Sequence, residues 1–224
     1  MKKSEVVLDK DMSYIYGWFL ADGTLYNTTR NRGRLSTEVS SKDLDILEKM
    51  SYVLTREGFK NSITSRTRNT NFKSNYESKI LRICSLELRT FFKECGFPEG
   101  KKSCVAKPPS FQYDEVSFSR GYIDADGSFS IGKTHDIPIL SICLSSDFMY
   151  EFFREKLKII CGFESNIKRN SRDNVYNLMI TRKKALLFIK WLGYEEDGIL
   201  SLNRKRMKAV ELLSKYNEKY FLGD

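Results

Sequence analysis

The chain carries one short pattern twice. Ile15-Tyr16-Gly17-Trp18-Phe19-Leu20-Ala21-Asp22-Gly23 returns as Ser119-Arg120-Gly121-Tyr122-Ile123-Asp124-Ala125-Asp126-Gly127. In each copy an Ala stands four residues after the first Gly, and an Asp and a second Gly follow. Positions i and i+4 share a helix face, so Gly17 with Ala21 and Gly121 with Ala125 form small-residue stripes where two helices can bring their backbones close. The closing glycines, Gly23 and Gly127, stand where a helix end calls for positive φ. Each aspartate then sits at a helix C-terminus, and side-by-side packing sets Asp22 next to Asp126. The two carboxylates repel each other and face the negative ends of helix dipoles. Such a site is stable only if something positive fills it.

The composition narrows what that could be. Lys and Arg number 38 against 29 Asp and Glu, a formal +9 that favours a polyanionic partner, while 41% hydrophobic residues can supply a real core. The five cysteines, Cys84, Cys95, Cys104, Cys143 and Cys161, have no Cys-x-x-Cys spacing and are odd in number, which argues against a disulfide framework or zinc ribbon. They fit an intracellular, reducing compartment, cytoplasmic or organellar. The single histidine, His135, cannot assemble a nuclease site that needs a His base beside His ligands, and reads as a turn residue. The apolar start Val6-Val7-Leu8 is cut short by Asp9, Lys10 and Asp11, unlike a signal peptide, and no run suits a membrane span.

The repetition extends beyond the motif. Gly33 to Ser40 and Pro138 to Leu144 read as strands, Ser40-Ser41-Lys42-Asp43 and Ser145-Ser146-Asp147 as helix caps. Leu44, Leu47, Met50 and Leu54 match Phe148, Phe152, Leu157 and Ile160 as inward helix positions, stopped at Gly58 and Gly162. Two further strands follow in each half, Asn61 to Arg68 with Tyr76 to Cys84, and Ser165 to Asn170 with Val175 to Ile180. Each half then has a short helix ending at Gly96 or Gly193. The first half carries extra residues in its hairpin, around Asn69 to Asn75. Leu202 to Tyr220 reads as a final helix with Met207, Val210 and Leu213 inward. Lys107-Pro108-Pro109-Ser110 marks a linker over 107–117 between an N-terminal half, 1–106, and a C-terminal half, 118–224. The fold class expected is α/β (α+β): two pseudo-twofold αββαββα halves joined through the motif helices, with two four-stranded antiparallel sheets, each having one free face.

Residues expected on those free faces are Arg30, Arg32, Arg34, Ser36, Glu38 and Ser40; Arg66, Arg68, Lys73, Lys79 and Arg82; Lys133; and Lys168, Arg169, Arg172, Asn174 and Asn177. Arg and Lys suit guanine edges and phosphates, Asn suits adenine, and Glu38 can accept from cytosine. The set fits double-stranded DNA read by β-ribbons in the major groove.

The doubled motif, with the repetition around it, resembles the LAGLIDADG homing endonucleases in their monomeric, two-motif form, over essentially the whole chain. The resemblance implies the same saddle-shaped fold and a site-specific endonuclease that makes a double-strand break in a long asymmetric DNA target, without a protein partner. It also implies a divalent metal, Mg²⁺ or Mn²⁺, at a site made by Asp22 and Asp126 together with Ala21 and Ala125. Lys102 and Lys205, in the regions after the third helix of each half, correspond to basic residues near the scissile phosphates, and Ser41 and Ser146 to polar residues that position water. Leu20 and Asp124 occupy a variable position off the metal, and Tyr16 and Arg120 must point away from the helix contact. The alternative within the same fold is a binder that does not cut, an intron RNA maturase or a transcription regulator. Retention of both aspartates favours the enzyme.

Overall fold

The two motif helices lie against each other at the centre of the protein. A computed structural model of the chain describes residues 7–69 and 74–221. α1 (Lys10–Asp22) and α4 (Glu115–Asp126) both begin at an aspartate cap: Asp9 accepts from the Met12 N–H at 2.8 Å and Asp114 from the Ser117 N–H at 2.7 Å. Just ahead of the caps, β1 (Val7–Leu8) and β6 (Gln112–Tyr113) pair in parallel. The Ser13 hydroxyl ties the starts of both helices together, donating to the Leu8 carbonyl and accepting from the Asp114 N–H, each at 3.0 Å. Strands of two residues carry no periodicity, so this pairing has no signature in the sequence.

α1 is buried from Met12 to Leu20, and α4 from Ser117 to Asp124. Their contact is as close as the small residues allow. A Cβ on Gly17 would fall 2.2 Å from the Phe118 carbonyl oxygen, and one on Gly121 2.1 Å from the Tyr14 carbonyl oxygen. Tyr16 turns away to pack on Phe92 and Phe97, and its hydroxyl donates to the Cys95 carbonyl. Arg120 also turns away and donates to the Leu192 and Leu200 carbonyls and the Ser117 hydroxyl. The closing glycines behave differently from the expectation. Gly23 has φ −93° and Gly127 φ −88°, so both are extended rather than left-handed. They are small for a steric reason. The strand leaves the helix so abruptly that a Cβ would meet the helix's own last turn, 2.4 Å from Phe19 Cδ1 or 2.7 Å from Ile123 Cγ2.

Each motif helix runs straight into a strand. β2 (Gly23–Asn27), β3 (Gly33–Ser40), β4 (Asn61–Arg68) and β5 (Tyr76–Ile83) form an antiparallel sheet in the order β2-β3-β5-β4. β7 (Gly127–Gly132), β8 (Ile137–Leu144) and β9 (Tyr176–Thr181) form the second sheet, which has three strands among the described residues in place of the expected four. The segment Ser165 to Asn170 makes no ladder. Side chains hold it instead: the Tyr150 hydroxyl bonds to the Ser165 carbonyl, and Arg169 turns back to Asp147 and Tyr176.

Helices cover the inner faces: α2 (Leu44–Arg56) and α3 (Leu86–Glu94) on the first sheet, and α5 (Asp147–Cys161), α6 (Arg182–Trp191) and α7 (Asn203–Phe221) on the second. The stop at Gly162 is left-handed, φ 59°, and returns backbone bonds from Gly162 and Phe163 to Lys158 and Leu157. Two helix phases differ from the sequence reading. Phe148 is exposed and Met149 and Phe153 are buried in α5; Met207 and Val210 are exposed while Ala209, Leu212 and Tyr216 face the core in α7. No helix among the described residues is long and apolar enough to cross a membrane.

Candidate metal centre and nucleic-acid interface

Asp22 and Asp126 are the last residues of α1 and α4, and the first strand of each sheet starts at the next residue. The helix contact therefore fixes where both carboxylates stand. Burial pushes the Asp22 carboxyl up to about 6, the negative charge of Asp126 adds to the rise, and Lys102 opposes it. Asp126 is also raised by burial, against the pull of Lys102 and Lys205. Both side chains reach solvent, and among the described residues no donor bonds to either carboxylate.

The two lysines selected from the sequence arrive at this point from different halves of the chain, Lys102 from its middle and Lys205 from near its end. Lys102, between α3 and β6, donates to the Phe19, Leu20 and Ala21 carbonyls at 3.1, 2.8 and 2.5 Å. Lys205, in the first turn of α7, donates to the Ile123, Asp124 and Gly127 carbonyls at 2.8, 2.6 and 2.6 Å. Each ammonium thus caps the carbonyl end of one motif helix. Burial pushes both lysines down to about 8, while nearby carboxylates act the other way. Both side chains are buried.

Asp124 lies off the groove. It accepts from the Tyr14 and Tyr194 hydroxyls, both at 2.7 Å, and from the Leu202 N–H at 2.8 Å, which ties α1, α4 and the start of α7 together. Leu20, in the matching place on α1, is buried among apolar neighbours. Nothing in the sequence marks Tyr14 and Tyr194 as partners of this carboxylate, since they come from segments far apart in the chain.

The outward face of the first sheet gathers Arg34, Ser36, Glu38, Ser40, Arg66, Arg68 and Arg82, as the register pairs Ser36 with Arg82, Ser40 with Ser78 and Ser78 with Arg66. Lys79 is a correction. It pairs with Val39 and Ser65, so it shares the inner face with Leu81 and Ile83, and its ammonium donates to the Ser65 hydroxyl at 2.7 Å. Glu38 is already engaged: it accepts from Ser78 and pairs with Arg66 at 3.2 Å and Arg68 at 3.4 Å, which takes up the acceptor assigned to cytosine. Arg30 and Arg32 lie in the β2–β3 turn and Lys133 in the β7–β8 turn, while Lys73 falls outside the described residues. Lys168, Arg169, Arg172 and Asn174 lie on the irregular segment that replaces the expected strand. Arg169 is folded back over the Tyr176 ring and onto Asp147 at 2.8 Å. Asn177 sits on β9 near Asp126.

The serines also divide. Ser40, not Ser41, caps its turn, accepting from the Lys42 N–H at 3.4 Å; Ser146 caps α5 and donates to the Ala106 carbonyl. Two concavities open beside the aspartates. One holds Asp22, Ser36, Glu38, Arg66 and Arg82; the other holds Asp126, Ser128, Ser141, Cys143, Asn177 and Met179. Ser128, Ser141, Cys143 and Met179 are absent from the sequence-based set, although the alternation along β7 to β9 would have placed them on Asn177's face.

The donor set is compatible with a hard divalent cation. Among the described residues no three His, Cys, Asp or Glu side chains cluster to hold a metal. Asp22 and Asp126 are the residues that would hold one, with phosphate and water oxygens as the remaining ligands that Mg²⁺ and Mn²⁺ accept. The Ala21 carbonyl is occupied by Lys102, whereas Lys205 bonds to the Ile123, Asp124 and Gly127 carbonyls and not to that of Ala125.

A profile of the LAGLIDADG-like domain matches residues 9–96 and again residues 115–191. No curated protein matches the sequence. Among solved structures, I-WcaI bound to its DNA recognition sequence aligns with a TM-score of 0.60 at 16% identity, covering 93% of this chain and 89% of that one. A double lysine-to-alanine variant of I-SmaMI aligns at 0.56 and 15% identity, covering 95% of this chain and 93% of that one. A variant of I-DmoI, in complex with its target DNA in the presence of manganese, aligns at 0.54 and 18%, covering 81% of this chain and 92% of that one. These likenesses concern the fold. The two profile matches span more than half of the sequence, and the chain belongs to the LAGLIDADG-like domain family, with two copies of the domain.

Proposed function

We propose that the protein is a site-specific endonuclease that opens both strands of a long, asymmetric DNA duplex by divalent-cation-dependent hydrolysis of phosphodiester bonds. One observation carries the reading: two carboxylates stand together at the helix ends, each pushed up by burial and without a hydrogen-bond donor among the described residues. A protein that only held DNA would be weakened by negative charge facing phosphates. Asp22 and Asp126 are the residues that would hold Mg²⁺ or Mn²⁺, which supplies water activation and charge neutralisation at the departing 3′ oxygen. The chain's own residues do the rest. Lys102 and Lys205 pin the helix ends and bring positive charge to the scissile region, and the two sheets orient the duplex so that each strand meets one aspartate. The DNA-bound I-WcaI and I-DmoI structures, which share this fold, support the assignment.

Incubation of the protein with a supercoiled plasmid library of randomised inserts and Mg²⁺ tests it. Linear products enriched in one long non-palindromic sequence are expected. Retention of such a sequence without cutting would favour the non-cleaving binder.

The same reading makes the protein a monomer on DNA, because both motif copies lie on one chain. If about 8 Lys and Arg side chains reach phosphates, log affinity falls against log salt with a slope near −7. Sedimentation of the complex checks the first statement and a salt titration the second. Two chains per duplex, or a slope shallower than about −3, would contradict them.

A further inference from the structure

The two sheets present opposite chemistry on their outward faces. On the first, Arg34, Arg66, Arg68 and Arg82 stand against one acidic residue, Glu38, and that carboxylate is shared by Arg66 and Arg68. Arg34 and Arg82 make no ion pair among the described residues. Among the described residues, the strand positions on the outward face of the second sheet carry no charged side chain. The register aligns Ser128 with Ser141, Ser130 with Ile139, Gly132 with Ile137, and Cys143 with Asn177, while Ser141 also pairs with Met179. Met179 is 58% exposed, and Ile137 and Ile139 are partly exposed. Gly132 leaves those two isoleucines room, since a Cβ there would touch both at 3.2 Å.

This apolar strip runs into the concavity that holds Asp126, so whatever lies against that aspartate also lies against Met179 and its neighbours. Resting on the endonuclease reading above, we infer that the second sheet takes an A·T-rich half-site and reads it through thymine methyl groups. Ile137, Ile139 and Met179 touch the methyls, and Asn177 is the hydrogen-bonding partner for an adjacent adenine. The match is chemical. In the major groove only thymine offers an apolar group, a β-ribbon reaches that edge, and a face without Lys or Arg has no bidentate donor for guanine. The first sheet, where Arg34 and Arg82 have no ion-pair partner among the described residues, is the half suited to guanine. The target would therefore differ in base composition between its two halves, with its guanine contacts concentrated on one side.

The experiment replaces thymidine by deoxyuridine, which removes only the 5-methyl group, in one half at a time of a duplex selected by the wild-type protein. Binding is measured with Mg²⁺ replaced by Ca²⁺. Each buried methyl lost is expected to weaken binding about fourfold, in one half-site only. In the Ile139→Ala/Met179→Ala variant, which keeps Ile137, the preference for thymine over uracil should shrink to what one remaining side chain supplies. Equal tolerance of uracil in both halves by the wild-type protein, or an unchanged thymine preference in the variant, would overturn the inference and leave the endonuclease reading standing. Failure to select any duplex would overturn both.

Discussion

Asp22→Asn and Asp126→Asn each lower double-strand cleavage by about 1000-fold or more while duplex binding holds or tightens. The expected loss corresponds to several kcal/mol of charge stabilisation at the reacting phosphate, each factor of ten being about 1.4 kcal/mol. An amide keeps the volume of the carboxylate and one of its oxygens but loses the charge that a divalent ion requires. Binding survives because the carboxylate contributes repulsion: in the free protein Asp126 helps to raise the Asp22 carboxyl to about 6, and a phosphate brought alongside adds to the same strain. Gel analysis of supercoiled plasmid, with filter binding in Ca²⁺ alongside, separates the two quantities. The double Asn variant cutting in Mg²⁺ at the wild-type rate would remove these aspartates from the chemistry.

The second large effect is on stability. Gly121→Leu places a side chain where even a Cβ would lie 2.1 Å from the Tyr14 carbonyl oxygen and 3.1 Å from the Trp18 nitrogen. These are backbone atoms of α1, so no rotamer change relieves the contact, and the helices have to separate. Overpacking of this kind costs about 3 kcal/mol or more, which for a chain of this size lowers Tm by roughly 6–12 °C. Cleavage should fall further than the folded fraction, because separation also moves Asp22 away from Asp126. A melting temperature within a degree of wild type would show that α1 and α4 do not meet at Gly121.

The motif is legible because its two requirements are local. A Gly and an Ala one turn apart can be read directly as a close contact, and an Asp at a helix end can be read directly as a site. Lys102 and Lys205 are also found by place in the repeat, but what they do is not visible there: six carbonyl bonds at two helix ends depend on how the chain returns to them. The steric role of Gly23 and Gly127 escapes the sequence for a similar reason. Their φ depends on the strand that follows, and a strand leaving at once needs no left-handed residue.

Strand faces are readable only as far as parity is kept. Arg66, Arg68 and Arg82 fall on the expected face across a β4–β5 register that sequence does not show, whereas Lys79 does not, being an odd number of positions from Arg82. In the second half, charge draws attention to Lys168, Arg169 and Arg172 on a segment without a ladder. The true outward face is built from Ser, Ile, Cys, Asn and Met, which carry no charge to mark them. Phe148 and Met207 show the corresponding limit for helices, where a one-residue phase error turns an inward position outward.

That Asp22 and Asp126 hold the divalent cation is the central claim. The direct measurement is the anomalous scattering of Mn²⁺ in crystals of the wild-type protein with its selected duplex. Manganese is expected within about 2.5 Å of a carboxylate oxygen of Asp22 and of Asp126, whether as one ion or two, with phosphate oxygens among the other ligands. Manganese bound elsewhere, with both carboxylates free of it, would contradict the claim.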